Sequence, residues 1–111
     1  MHFNAVALTG HLAAIEPLRR TPAGIPLVNF KLAHQSRQTE AGFKRQVEFE
    51  MSGVAVGDTA LAISHMQAGQ AVRIEGFLNR KNRMSAQLIL HVTNAELWKD
   101  TDHAKTGTEQ G

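Results

Sequence analysis

Positive charge is the side-chain chemistry that this sequence concentrates. Arg80, Lys81 and Arg83 fill three of four consecutive positions, Arg19 and Arg20 are adjacent, and Arg37, Lys44 and Arg45 lie close together. These eight make up most of the 12 lysines and arginines. Guanidinium and ammonium groups clustered in this way can grip a polyanion through charge-assisted hydrogen bonds. Loops also carry cations for solubility alone, so the deciding question is whether the clusters converge. Lys31 sits between the first two clusters in the sequence and adds to the candidate set.

Other reactive groups are sparse. There is no cysteine, which removes disulfides, thiolate nucleophiles and cysteine-based zinc sites. The histidines are His2, His11, His34, His65, His91 and His103, and no two stand at the four-residue helical spacing of a zinc ligand pair. His65 reads as a packed or capping histidine. Glu48 and Glu50 are two residues apart and would point the same way from a strand, the usual arrangement of solvated glutamates. No phosphate-cradling glycine loop, nucleophile elbow or dinucleotide fingerprint is present. The expectation is a binding protein with no catalytic residue, no metal site and no cofactor.

Alternating apolar runs must position the cations. Strand one is read from Phe3 to Ile15, bent at Gly10, since glycine inside a strand marks a bulge or sharp bend. The segment from Glu16 to Gly24 has two prolines and a glycine and reads as a loop. Strand two runs from about Ile25 to Gln35, with Val28, Phe30 and Leu32 alternating with Asn29, Lys31 and Ala33. A polar loop, Ser36 to Gly42, leads to strand three, Phe43 to about Gly53. There Val47, Phe49 and Met51 share one face, and Lys44, Gln46, Glu48 and Glu50 the other. Arg45 falls in register with the apolar face, so the buried part of this strand is expected to begin after it. A short helix follows, capped by Asp58 and ended by Gly69, with Leu61, Ala62, His65 and Met66 as its apolar stripe. Strands four (about Gln70 to Asn79) and five (about Ala86 to Trp98) form a hairpin around the Arg80–Ser85 loop.

Strand, strand, strand, helix, strand, strand within about 100 residues is the order of an OB-fold, a five-stranded Greek-key barrel. We therefore expect an all-β protein with one short helix between strands three and four. An SH3-like barrel ranks second, because it usually lacks that helix. OB-folds bind on strands two and three, between the loops joining strands one and two and strands four and five. On that frame the three cationic loops rim one side, and Lys31 points outward between the first two. Phosphate backbones suit such a field. Phe43, beside Lys44 and Arg45, is the best stacking candidate, and core packing is an equal alternative for it. Phe30 and Phe49 fit the core, Phe3 could be core or edge, and Trp98 reads as packing at the base of the barrel. Phe77 falls on the outward register of strand four unless Gly76 shifts it.

The 111 residues suggest a single domain over residues 1–98 and a polar, disordered C-terminal tail over 99–111. Net charge is only +2 and the sequence pI about 9.4, so the total says less than the placement. No run approaches the roughly 20 apolar residues of a membrane span. The apolar start, Met1 to Ile15, lacks the basic region of a signal peptide, and a cytoplasmic protein is expected.

Several segments carry a likeness to a known family. They are Leu8-Thr9-Gly10, Thr21-Pro22-Ala23-Gly24-Ile25-Pro26, His34-Gln35-Ser36, Glu40-Ala41-Gly42-Phe43-Lys44-Arg45-Gln46, Ile63-Ser64-His65, Glu75-Gly76-Phe77 and Leu90-His91. In this order, over about residues 4 to 98, the sequence resembles the primosomal replication protein N (PriB) family. The resemblance implies a homodimeric OB-fold protein that binds single-stranded DNA in the replication-restart primosome. It further implies that the protein stabilises the PriA helicase on DNA and promotes helicase loading, through DnaT or another loading factor. Carried over by position, the family's DNA contacts are Phe43, Arg45, Arg80, Lys81 and Arg83. One departure is Glu48, where strong DNA binders of the family can carry a tryptophan. Two readings follow: a DNA-binding accessory protein, or a helicase-docking module with little DNA binding of its own, which Glu48 and Glu50 favour. A general strand-coating protein is a weaker third, since the chain ends Thr108-Glu109-Gln110-Gly111 without an acidic, apolar-tipped tail.

Overall fold

The computed structural model describes residues 1–99; the expected disordered tail falls almost wholly outside them. The elements are β1 (Val6–Ile15), β2 (Arg19–Arg20), β3 (Pro26–Glu40), β4 (Phe43–Val56), α1 (Asp58–Ser64), β5 (Ala71–Arg80) and β6 (Leu88–Leu97). The sheet order is β1-β5-β6-β4-β3-β2, and a further β1–β3 pairing closes five long strands into a barrel. All pairings are antiparallel except β4–β6, which joins Gly53 to Leu90 and Val54 to His91. This is the expected OB-fold, with the helix between β4 and β5.

Closure depends on β1 serving two partners. Residues Val6 to His11 pair with β5, and His11 to Ile15 pair with β3. The strand must therefore bend, and Gly10 lies at the bend. A Cβ there would run into the carbonyl oxygen of Ala33, so only glycine allows so close an approach. A bulge between Leu12 and Ala14 completes the turn of direction.

The alternation in β3 is met by burial. Val28, Phe30 and Leu32 are buried with Leu12, Val72, Ile74, Leu90 and Val92, while Lys31 is exposed. Gly53, opposite Phe30, leaves the space that its ring occupies. Phe49 was expected in this core but is 37% exposed and stacks on His34 instead. Phe3 is fully on the surface. Trp98 is half-buried, and its backbone N–H donates to the Ala71 carbonyl 2.9 Å away.

Helix α1 buries Ala60 and Ile63, with Met66 packed against the core just beyond it. The expected stripe is therefore displaced: Leu61, Ala62 and His65 are exposed. Gly57, with φ of 69°, takes the N-cap position in place of Asp58, which opens the first turn. Its carboxylate suits the positive end of the helix. The helix stops at Ser64, where His65 closes it, its ring Nδ1 lying 2.7 Å from the Leu61 carbonyl. Gly69, with φ of 95°, instead turns the chain so that its N–H meets the Leu12 carbonyl at 2.7 Å.

The β3–β4 hairpin is longer than its apolar pattern. It pairs from Leu27–Val56 out to Glu40–Phe43. Its tip is a two-residue turn, Ala41-Gly42, with φ of 51° and 83°, the doubly left-handed geometry that matches strand twist. The polar run Ser36 to Glu40, expected as a loop, is strand because backbone pairing continues past the end of the core.

Candidate nucleic-acid interface

A groove of about 940 Å³ opens on the outer face of the barrel. Arg19, Lys31, Arg80, Lys81 and Arg83 line it, with Glu16 as its one carboxylate among the described residues. Five cations against one acid make the groove positive although the whole chain is nearly neutral. None of the five is ion-paired among the described residues. Lys31 gets there because its neighbours Phe30 and Leu32 point into the core, which turns it outward.

Local hydrogen bonds fix both rims. On one side Arg19 and Arg20 pair with Leu27 and Pro26 as the short strand β2. The intervening turn is held by bonds from Thr21 to Ile25 and from Gly24 to Thr21, at 2.9 and 2.8 Å. On the other side the 80s loop bonds to itself. Lys81 N–H donates to the Gln87 carbonyl (2.9 Å), Met84 N–H to Asn82 Oδ1 (2.9 Å), and the Arg80 guanidinium to the Arg83 carbonyl (3.3 Å). Within the groove, Asn29, Asn79, Asn82 and Gln87 offer amides, and His91 offers a ring. These were not singled out in the sequence. His91 stood in the sequence among the histidines and in the family likeness, between the apolar Leu90 and Val92, without a binding role.

The remaining candidate residues lie elsewhere. Arg20 turns into its own loop, donating to the Gly24 carbonyl at 3.0 Å. Arg37, Phe43, Lys44 and Arg45 lie at the far end of the β3–β4 hairpin. Arg37 lies six strand positions from Lys31, roughly 20 Å. Thus two of the three cationic loops meet at the groove and the third stands apart from it. Phe43 is 74% exposed, so core packing does not account for it. It and Arg45 lie on the register of Val47 and Phe49, and Arg45 is paired with Glu40 at 2.9 Å. Arg37 and Lys44 share the outer register with Lys31, but Glu50 and Glu48 lie between, opposite Ala33 and Gln35. The outer face therefore reads cationic, acidic, cationic from groove to tip. No grouping of histidine and carboxylate that could hold a metal occurs among the described residues.

A closed five-stranded barrel with a basic groove between two of its loops is an OB-fold of the single-strand binding class. Residues 4–94 match the profile of a family described as "another single-strand binding protein family". The chain is 42% identical over 94 residues to replication restart protein PriB of Nitrosomonas europaea, spanning 85% of this chain and 87% of that protein. PriB from Ralstonia solanacearum superimposes with a TM-score of 0.80 at 32% identity, over 88% of this chain and all of that one. The single-stranded DNA binding protein from Thermus aquaticus does so with a TM-score of 0.71 at 25% identity, over 87% of this chain and 50% of that one. The chain belongs to the PriB family of replication restart proteins. No helix among the described residues is long and apolar enough to cross a membrane.

Proposed function

We propose that this protein binds single-stranded DNA as a non-catalytic accessory of the replication-restart primosome. In that role it stabilises and stimulates the PriA helicase on DNA and promotes assembly of the helicase-loading complex, with DnaT or another loading factor. Its place of action is the cytoplasm. The observation that carries the DNA-binding reading is the meeting of Arg19 and Lys31 with Arg80, Lys81 and Arg83 around one groove. From there the DNA strand follows the outer face of the hairpin to Arg37 and Lys44, and reaches Phe43 and Arg45 on the other face by passing around the tip. A homodimer accords with β1, whose residues Val6 to Gly10 pair with β5 on one side and have no strand partner on the other among the described residues.

Labelled single strand and duplex of equal length, titrated over a salt series, test this. The expected result is preference for the single strand, with log affinity falling by about 0.7 per neutralised phosphate for each unit of log salt. The second reading, a helicase-docking module, is favoured by the exposed Glu48 and Glu50. Absence of binding at low salt, with helicase stimulation retained, would establish it in place of the first. Sedimentation at several concentrations tests the dimer.

A further inference from the structure

Strands β5 and β6 carry an aromatic pair that phosphate binding leaves unexplained. Phe77 stands on the outer face of β5, 40% exposed. Its cross-strand partner is His91. The two rings are stacked, with centroids 5.1 Å apart and planes within 2° of parallel. A register shift between Glu75 and Gly76 sets this pairing. Gly76 keeps the strands close there, since a Cβ would run into the His91 carbonyl oxygen.

His91 also lines the groove, whereas Phe77 does not. Phe77 therefore covers one face of the imidazole and the groove lies to its other side. The parallel β4–β6 pairing sets Val54 beside His91, and Asn29 pairs with Val54 in turn. Both line the groove. A flat ring entering here would extend the Phe77–His91 stack, rest on an apolar side chain and meet an amide at its edge.

We infer that the groove contains a base-stacking subsite, in which one nucleobase of a single strand lies on the His91 imidazole. Phe77 is a positioning residue: it fixes the plane of that imidazole. Arg80 and Lys81 take the flanking phosphates, and Asn29 bonds the base edge. Stacking tolerates every base. Duplex bases are excluded because their faces are already covered. The inference rests on the DNA-binding reading above.

The test uses the full chain and short single strands carrying one 2-aminopurine at successive positions, whose fluorescence is quenched on stacking. Quenching is expected at one position. His91→Ala should abolish it and weaken binding on the order of 10-fold, with the salt slope unchanged. His91→Phe should restore both. Phe77→Ala should weaken the quench, and Phe77→Tyr should preserve it. The subsite is overturned if the wild type binds DNA without quenching at any position, or if a folded His91→Ala protein quenches as the wild type does. Failure of the wild type to bind DNA at all removes the DNA reading and the subsite together.

Discussion

The two halves of the β3–β4 hairpin are built from the same alternation and behave differently. In the near half, from Leu27 to Leu32 and from Met51 to Val56, both strands find second partners: β3 pairs with β1 at Phe30 to Ala33, and β4 with β6 at Gly53 and Val54. Its inner face is core and its outer face supplies Asn29 and Lys31 to the groove. In the far half, from His34 to Glu40 and from Phe43 to Glu50, the strands pair only with each other among the described residues, and the His34 ring at the base lies 2.7 Å from the Thr9 carbonyl of β1. Phe43 and Phe49 stay exposed there, and the outer face holds Glu48 and Glu50. Alternation sets which way a side chain points; enclosure needs a layer to point at. The near half is thus a rigid platform for cations, and the far half an arm.

The comparison breaks first on stability. Leu32 is fully buried, and Leu32→Ala is expected to cost about 2–5 kcal/mol. Val47→Ala, on the same face of the arm, is expected to cost about 1 kcal/mol or less. Urea unfolding measures both, and equal losses would mean that the arm is packed like the barrel. Next in size is the groove. Arg80→Ala combined with Arg83→Ala should lower single-strand affinity by on the order of 10- to 100-fold at low salt, and flatten the salt slope by about 1.4. Melting should hardly change, because both residues are exposed. Arg20→Ala, at a residue outside the groove lining whose guanidinium bonds the Gly24 carbonyl, should leave the slope nearly as it was.

How far the sequence reveals this arrangement depends on the range of the interaction. The long strands, the bend at Gly10 and the outward aim of Lys31 follow from spacing alone. The helix stripe was displaced because Asp58 to Met66 offers two overlapping sets of apolar residues, and only the layer beneath selects Ala60 and Ile63. The reach of the hairpin was underestimated because Ser36 to Glu40 is polar, and backbone pairing leaves no trace in side-chain type. His91 and the groove amides escaped for a related reason. His91 and the amides of the β5–β6 hairpin come beside Asn29 and Val54 only through the parallel β4–β6 pairing, which joins positions far apart in the chain. The cations were visible as clusters, but the roughly 30 Å between groove and tip was not.

That separation makes the arm's contribution depend on ligand length. Phe43→Ala combined with Arg45→Ala should weaken binding of a strand of about 16 nucleotides several-fold, yet leave one of about 5 nucleotides almost unaffected, within the range of site sizes known for OB-folds. Fluorescence anisotropy with the two lengths decides it. Equal losses on both would mean that the tip folds back on the groove. No loss on either would confine the site to the near half.

The smallest expected effect is also the most pointed. Glu48 and Glu50 stand between the groove and the outer cations Arg37 and Lys44, where a strand running along the arm must pass. Glu48→Gln with Glu50→Gln removes two charges that oppose phosphate while keeping side-chain size. Affinity for the long strand should rise a few-fold at low salt, and the gain should fade as salt screens exposed charges. The short strand should show no gain. A rise on both lengths would mean that the acids act through the overall field and not along the path. A fall would mean that the glutamates help to hold the strand, through its base edges, and that the arm's outer face binds DNA by a different chemistry from the groove.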